Sequence, residues 1–349
     1  MQQKRAHKKR AHTHAPRPLP LFLEILRMVS KEEPELAARA LAGLARYEQA
    51  VRPGKCPERP AIAQAGPAML RDCGGDGAPA VLVPSLINPP NVLDLDEQVS
   101  LASAVARLGR RALLVDWGDA RQRETLDLGG HVVELLLPLL GELDERPALI
   151  GYCLGGTMAI AAANLVPVER VASLAAPWRF SAYPKPARDS LRQLWGSTEP
   201  AAAKLGALPM EVLQGAFWSL DPKRTVSKFA RFADMESDGA EALRFVMLED
   251  WANEGEPLPF PAAREMIEDL FGCDLPGNRA WRVGGDIVTD ALDCPLLNIT
   301  AANDRIAPAE TAPSGEAVHI EAGHVGMVVG SARRGLHGAL AAFLERPAG

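Results

Sequence analysis

The hexapeptide Gly151-Tyr152-Cys153-Leu154-Gly155-Gly156 decides the fold of this 349-residue chain. It follows the apolar run at residues 148–151 and opens the small-residue segment 155–165, so it joins a predicted strand to a predicted helix. This is the G-x-S-x-G nucleophile-elbow pattern with cysteine in place of serine. The glycines remove side chains that would collide in so tight a turn. The pattern predicts a thiol at a helix N-terminus, where the helix dipole favours the thiolate.

Strand-like and helix-like segments alternate on both sides of this turn. Short apolar runs predict strands at residues 80–83, 111–115, 148–151, 171–175, 295–301 and 317–321. Helical spacing predicts helices at residues 95–108, 129–143 and 155–165, and Leu336, Leu340 and Phe343 mark a closing helix. Because strands joined through helices run parallel, the sequence predicts an α/β fold: a mostly parallel sheet with helices on both faces.

The interval 178–290 interrupts this alternation and is too long to be a loop. It contains five of the six tryptophans, so we expect an inserted, mainly helical cap over the carboxyl edge of the sheet. Most of these tryptophans are expected in the core of the cap rather than in contact with a ligand. We predict a basic disordered tail at residues 1–18, followed by a helical and irregular segment at residues 19–77. The first core part follows at residues 78–177, the cap at residues 178–290 and the second core part at residues 291–349.

Composition and charge exclude several classes of protein. Hydrophobic residues make up 47% and charged residues 23% of the chain, which excludes a disordered or coiled-coil protein. The net charge is −6, and residues 1–18 carry six of the 38 basic residues and none of the 44 acidic ones. The rest of the chain therefore has 32 basic and 44 acidic residues, a net charge of −12, so we expect no bulk nucleic-acid binding. We interpret the tail as a solvated end, with contact to polyanions as the alternative.

The cysteines and the longest uncharged run bear on compartment and membrane association. Five scattered cysteines without a C-x-x-C pair predict neither a disulfide framework nor a zinc site, and they favour a reduced, cytoplasmic compartment. The run at residues 147–168 is long enough to suggest a membrane span, but glycine, asparagine and proline interrupt it. We therefore predict no transmembrane segment.

Two more side chains complete a catalytic pattern with Cys153. Asp304 follows the predicted strand 295–301, and His324 follows the next strand. The order nucleophile, acid, histidine is that of the α/β-hydrolase fold. The imidazole would take the thiol proton, while the carboxylate would hold its tautomer and stabilise the imidazolium. Asp116 is an alternative acid for which we favour a structural role, and His131, like the other histidines, is expected to be structural or exposed.

Two backbone N–H groups are expected to stabilise an oxyanion beside the thiol. One belongs to Leu154, and the other comes from the loop 84–88, where we choose Ile87. Attack of a cysteine on a thioester yields another thioester, so the acyl group stays reactive. That chemistry suits transfer to a second acceptor, such as a hydroxyl, better than hydrolysis.

These motifs resemble those of the polyhydroxyalkanoate synthases, and most closely the short catalytic subunits of the class III type. The hexapeptide around Cys153 resembles the family's Gly-Tyr-Cys-x-Gly-Gly box. Other similar segments lie in the family's order at residues 86–95, 114–118, 295–308 and 323–330. The resemblance spans about residues 78–345. Arg305 departs from it, since a histidine is usual there, and so does the basic tail.

The resemblance implies roles for particular residues. Cys153 would carry the 3-hydroxyacyl chain, His324 would activate the thiol and later the incoming hydroxyl, and Asp304 would orient His324. Asn88 and Asp94 are the predicted substrate-binding residues, although we favour Asp94 as the cap of a helix beginning at the next residue. The implied reaction polymerises 3-hydroxyacyl-coenzyme A into polyhydroxyalkanoate and releases coenzyme A, with no metal and no tightly bound cofactor.

The resemblance also implies an assembly and a location. Such synthases work as homodimers, usually with a second, non-catalytic subunit, at the surface of polyester storage granules. Two other functions stay open. One is a cysteine-dependent α/β-hydrolase, either a thioesterase or a polyester depolymerase. The other is a non-enzymatic protein, either a degenerate partner of an active synthase or a granule-surface protein.

Overall fold

The computed structural model describes residues 14–52, 58–236 and 239–346, so residues 1–13 of the predicted basic tail lie outside the described residues. The chain divides into two compact units. The larger unit comprises residues 55–220 and 254–349, and the smaller one comprises residues 1–54 and 221–253, each as far as it is described.

An eight-stranded sheet forms the centre of the larger unit. Its strands are β1 (Ala61–Ala65), β2 (Ala68–Asp72), β3 (Pro79–Val83), β4 (Arg111–Asp116), β5 (Ala148–Tyr152), β6 (Arg170–Leu174), β7 (Leu296–Ala301) and β8 (Glu316–Ile320). They lie in the order β1-β2-β4-β3-β5-β6-β7-β8. Strand β2 pairs antiparallel with both of its neighbours, and the other pairings are parallel. The predicted mostly parallel sheet is confirmed.

Helices and single helical turns connect the strands of this unit. They include Leu101–Arg107, Leu128–Gly130, His131–Leu136, Leu137–Gly141, Leu154–Leu165, Lys185–Leu205, Met210–Leu220, Phe260–Arg264, Glu265–Gly272, Gly326–Val329 and Arg333–Leu344. The helix Leu154–Leu165 is buried along most of its length, because its alanines and glycines allow close packing against the sheet. Trp178, Trp195 and Trp281 of the predicted cap are buried in the same apolar core as the strands.

Two local predictions differ from the structure. The part of residues 19–77 expected to be irregular contains the hairpin of β1 and β2, whose alanine-rich strands carry few of the β-branched residues that signal a strand. The prediction that Asp94 caps a helix beginning at Leu95 is wrong. The helix begins at Leu101, where the Ser100 hydroxyl accepts a hydrogen bond from the backbone of Ser103 at 2.8 Å.

The described residues of the smaller unit form four helices: Leu19–Val29, Pro34–Gln49, Pro222–Asp234 and Ala240–Asn253. The second and third pack closely at Gly43, where an added Cβ would lie 1.9 Å from the carbonyl oxygen of Phe229. The ring centroid of Phe229 lies 4.9 Å from that of Phe22. This unit therefore joins residues of the predicted N-terminal segment to residues of the predicted cap.

Candidate active site

Cys153 occupies the turn between β5 and the helix Leu154–Leu165. Its backbone has φ 55° and ψ −131°, a conformation that residues with a side chain rarely adopt. The Cys153 N–H donates to the carbonyl oxygen of Leu174 at 2.9 Å, and the Cys153 carbonyl accepts from Gly156 at the same distance. Hydrogen bonds on both sides of the residue hold the strained turn and its half-buried thiol.

Gly155 brings the start of this helix against the end of β3. A Cβ at this position would lie 2.1 Å from the carbonyl oxygen of Val83 and 2.5 Å from that of Pro84. These are backbone atoms, which cannot rotate away as a side chain can. The glycine therefore permits the approach that places the helix N-terminus beside the loop after β3.

We expect Gly155→Ala to destabilise the protein and to displace the turn around Cys153. Forcing a methyl group into a packed site costs ~1–3 kcal/mol, which corresponds to a melting temperature lower by several degrees. Thermal unfolding followed by circular dichroism would measure the change. The matched control is Gly338→Ala, at an exposed helical position with no atom within 4 Å of the added Cβ. This control should gain up to ~1 kcal/mol in helix propensity, and equal melting temperatures for the two variants would contradict the prediction.

Asp304 and His324 lie in the loops after β7 and β8 and contact each other. Because these strands are parallel neighbours, their carboxyl ends meet at one edge of the sheet. His324 Nδ1 lies 2.6 Å from Asp304 Oδ2. The other carboxylate oxygen, Oδ1, accepts from the backbone N–H groups of Ile306 and Ala307 at 2.8 and 2.9 Å. One oxygen thus fixes the carboxylate, and the other is directed at the imidazole.

His324 also lies close enough to Cys153 for the two side chains to interact. Burial alone would lower the pKa of His324, but the Asp304 carboxylate and the Cys153 sulfur together raise that pKa to about 10. The side chain of His324 is 9% exposed and that of Asp304 is fully buried. The structure therefore brings the three predicted residues together, in an arrangement in which the imidazole can accept the thiol proton and stay charged beside the sulfur.

The two predicted oxyanion donors lie on neighbouring segments. Leu154 is the first residue of its helix, where backbone N–H groups have no acceptor within the helix. The Ile87 N–H donates to the Ser85 hydroxyl over a long distance of 3.4 Å, and the Ile87 carbonyl accepts from the Glu256 N–H at 3.1 Å. A contact as long as that to Ser85 is weak, so the Ile87 N–H can leave this hydroxyl and donate to a stronger acceptor.

A pocket of about 300 Å³ adjoins the loop after β3. It is lined by residues from that loop, from the end of β4 and from two later segments: Leu86, Ile87, Asn88, Pro89, Pro90, Asp116, Trp117, Gly118, Arg123, Glu254 and Glu256. The lining includes Asn88 but not Asp94, Cys153 or His324. The pocket therefore lies beside the predicted oxyanion loop rather than over the thiol.

Asp94 and Asp116 both form ion pairs with arginines. The Asp94 carboxylate accepts from Arg59 at 2.7 Å and from the Ser100 hydroxyl at 2.6 Å. Asp116 accepts from Arg71 at 2.7 Å, which links β4 to β2. The contacts of Asp116 favour its structural role, whereas a part for Asp94 in binding substrate stays a prediction.

Two tyrosines beside the site were missed by the sequence analysis. The Tyr152 hydroxyl donates to the carbonyl of His324 at 3.3 Å, and the Tyr183 hydroxyl donates to the carbonyl of Ile306 at 2.8 Å. Burial and the nearby charges of Cys153 and Asp304 raise the pKa of each phenol well above its ordinary value, so both stay neutral. Only the position of Tyr152 next to the predicted nucleophile could have pointed to it.

His131, a competing histidine in the sequence, is fully buried. Its Nδ1 lies 2.6 Å from the carbonyl oxygen of Asp127, and its Nε2 lies 3.1 Å from Arg123 Nη1. A neutral ring that donates through Nδ1 and accepts through Nε2 satisfies both contacts. Burial, assisted by the Arg123 charge, lowers the pKa of His131 to about 4.

The free energy of unfolding should therefore fall as the pH is lowered from about 6.5 to about 4. In this interval unfolded His131 binds a proton that the folded protein does not bind until about pH 4. One such group contributes a slope of up to ~1.4 kcal/mol per pH unit. Urea unfolding at several pH values should show a smaller slope for His131→Asn than for the wild type or for His14→Asn, which alters an exposed histidine. Identical slopes for all three proteins would refute this assignment.

Among residues 14–52, 58–236 and 239–346, no group of three or more His, Cys, Asp or Glu side chains is placed to hold a metal ion. No helix there is long and apolar enough to cross a membrane. The four cysteines in the described ranges, Cys73, Cys153, Cys273 and Cys294, are free thiols.

The strand order, the elbow after β5 and the acid and histidine after β7 and β8 define an α/β-hydrolase fold. Two solved structures share it: a hydrolase from Pseudomonas aeruginosa PA01 and epoxide hydrolase A from Mycobacterium thermoresistibile. Each is 18% identical to this chain, with a TM-score of 0.52. The match covers 80% of this chain and 94% of the Pseudomonas chain, and 83% of this chain and 98% of the Mycobacterium chain. At this identity they establish the fold alone.

The chain is a distant homologue of the poly(3-hydroxyalkanoate) polymerase subunit PhaC, which confirms the predicted resemblance. It is 26% identical to the Haloferax mediterranei protein over 281 residues, which are 74% of this chain and 56% of that protein. The Haloarcula marismortui protein is 26% identical over 73% of this chain and 58% of its own length. The Allochromatium vinosum protein is 25% identical over 76% of this chain and 80% of its own length. The chain thus spans little more than half of the first two relatives. No family model matches it.

Proposed function

We propose that the protein is an acyltransferase that polymerises 3-hydroxyacyl-coenzyme A into polyhydroxyalkanoate. The acyl chain would be held as a thioester on Cys153, and coenzyme A would be released. One observation carries the proposal: in a homologue of PhaC, His324 bonds to the buried carboxylate of Asp304 and lies beside the thiol at the elbow.

The first half-reaction forms the acyl-enzyme. Since His324 Nδ1 faces Asp304, Nε2 faces the thiol and takes its proton. The thiolate attacks the thioester carbonyl, and the N–H groups of Leu154 and Ile87 stabilise the oxyanion that develops. The tetrahedral intermediate then collapses, the carbon–sulfur bond to coenzyme A breaks, and the proton on Nε2 passes to the departing sulfur.

The second half-reaction extends the polyester. The hydroxyl of another hydroxyacyl unit attacks the thioester carbonyl on Cys153 while His324 accepts the hydroxyl proton. An ester bond forms, and the Cys153 sulfur leaves and recovers the proton. The free energy released when the thioester is cleaved drives the formation of the ester bond. A serine ester at the same position would not provide this free energy.

The residues that bind substrate and the assembly belong to the same proposal. The place of Asn88 in the wall of the pocket supports a role in binding the acyl substrate, and Asp94 would act through the segment that it stabilises. We place the enzyme in a reduced, cytoplasmic compartment at the surface of polyester granules, as a homodimer alone or with a non-catalytic subunit. The free thiols and the description of the relatives as polymerase subunits support this placement.

The test is an assay of the purified protein with 3-hydroxybutyryl-coenzyme A. Release of coenzyme A would be followed with a thiol reagent, and the products would be separated into acid-insoluble polymer and free 3-hydroxybutyrate. The proposal expects polymer, with the same yield from Cys273→Ser, which alters an exposed thiol. Free acid without polymer would assign a hydrolase instead. No release of coenzyme A, with or without a non-catalytic synthase subunit, would leave a non-enzymatic role.

A further inference from the structure

Tyr152 contacts the triad histidine in two ways. It is the last residue of β5, directly before Cys153, and its side chain is buried. Its ring centroid lies 5.0 Å from that of the His324 imidazole, with 34° between the ring planes. Its hydroxyl donates to the His324 backbone carbonyl at 3.3 Å. One residue therefore contacts both the side chain and the main chain of His324.

The hydrogen bond to Asp304 does not by itself fix the imidazole. A single contact at Nδ1 leaves the ring free to rotate about the line that joins it to the carboxylate, and rotation would carry Nε2 away from the sulfur. The Tyr152 ring lies against the imidazole and opposes this rotation. Because Tyr152 and Cys153 are adjacent in the chain, the end of β5 positions both the Cys153 sulfur and the Tyr152 ring against which the His324 imidazole packs.

The charges around His324 make a neutral aromatic neighbour favourable. The imidazole lies beside the Asp304 carboxylate and the Cys153 sulfur, and the same two charges act on Tyr152 and Tyr183. Neutral tyrosines add no further negative charge beside the Asp304 carboxylate and the Cys153 sulfur. The face of an aromatic ring attracts a cation, so the contact with Tyr152 is stronger for the imidazolium than for the neutral imidazole.

We propose that Tyr152 is a positioning residue that holds the His324 imidazole in the orientation joining Cys153 to Asp304. Its effect on turnover rests on the proposed function. Its effect on the thiol does not, because an alkylating reagent reports on the sulfur and the imidazole without any acyl substrate.

The experiment measures alkylation of Cys153 by iodoacetamide between pH 5 and pH 10, with the modified peptide quantified by mass spectrometry. The thiolate attacks the methylene carbon and iodide leaves, so the rate follows the thiolate that His324 maintains. Tyr152→Leu removes the ring, and Tyr152→Phe keeps the ring but removes the hydroxyl. Tyr47→Phe is the matched control, since it deletes a buried hydroxyl in the other compact unit.

We expect Tyr152→Leu to slow alkylation at pH 7 by at least ~10-fold and to make the rate rise steeply with pH, as it does for a free thiol. Tyr152→Phe should lose no more than ~5-fold, the scale of one neutral hydrogen bond. Tyr47→Phe should match the wild type. A wild-type pH profile in Tyr152→Leu with an unchanged melting temperature would overturn the proposal.

A second measurement decides the matter should Tyr152→Leu not fold. In Tyr152→Phe the low-field proton resonance of His324 Nδ1 should exchange faster with water than in the wild type, because the loop loses its bond to the phenol. Unchanged exchange of this proton would also overturn the proposal. If the wild type releases no coenzyme A, the proposed function fails, while both of these measurements still decide the role of Tyr152.

Discussion

Cys153→Ala is expected to lower the release of coenzyme A from 3-hydroxybutyryl-coenzyme A by at least ~10⁴-fold, the scale of removing a triad nucleophile. Alanine cannot form the thioester, and it keeps the backbone turn that cysteine adopts at φ 55°. Cys153→Ser should also lose most activity, because the hydroxyl is far less acidic and its ester far less reactive than a thioester.

The measurement combines turnover with mass spectrometry of the digested protein. The wild type should gain the mass of a hydroxyacyl group on the Cys153 peptide during turnover, and Cys153→Ala should lack it. Cys273→Ser, which alters an exposed cysteine in the same unit, should turn over and acylate as the wild type does. Unchanged turnover in Cys153→Ser would exclude this sulfur as the nucleophile.

Asp304→Asn is expected to lower turnover by ~10²–10⁴-fold, a range typical of a disabled general base. In the wild type Oδ1 accepts two backbone N–H groups, so the asparagine oxygen would take that place and direct its NH₂ group at His324 Nδ1. The imidazole would then have to accept at Nδ1 and carry its hydrogen on Nε2. In that tautomer it cannot take the proton of the Cys153 thiol.

Steady-state turnover and alkylation of Cys153 at pH 7 would both report this effect, and both should fall. His324→Gln should lose at least ~10²-fold in turnover for the same reason. The control is Asp290→Asn, since this carboxylate also accepts a backbone N–H, that of Ser314, at an exposed position. Retention of more than a tenth of the wild-type turnover in Asp304→Asn would argue against the assigned acid.

The sheet and the elbow could be predicted because their signals are local. Each parallel strand is a short apolar run, and the glycines around Cys153 are required by contacts within the turn or with the ends of the adjacent strands β3 and β6. The order of the three chemical groups along the chain then placed Asp304 and His324 on adjacent strand ends. Parallel strands bring such ends together without further information.

Other features could not be predicted from the sequence because the contact that determines them is not visible in a local pattern. The segment after Asp94 reads as helical, but the Asp96 carboxylate accepts from the backbone of Gln98 and Val99, each at 2.7 Å. A side chain that binds the backbone in this way favours a turn over a helix. Tyr152 and His324 are 172 residues apart in the chain, so their contact appears only once the sheet has formed.

The smaller unit is assembled from residues far apart in the chain, and this affects its biosynthesis. Tyr47 bonds to Asp250, which is 203 residues later. At usual rates of translation the ribosome needs roughly 10–40 s to cover that distance. For this time the apolar faces of the first two helices are without the partners that will cover them. The nascent chain is thus exposed to aggregation until the last two helices of the smaller unit have been synthesised, and slower elongation lengthens that interval.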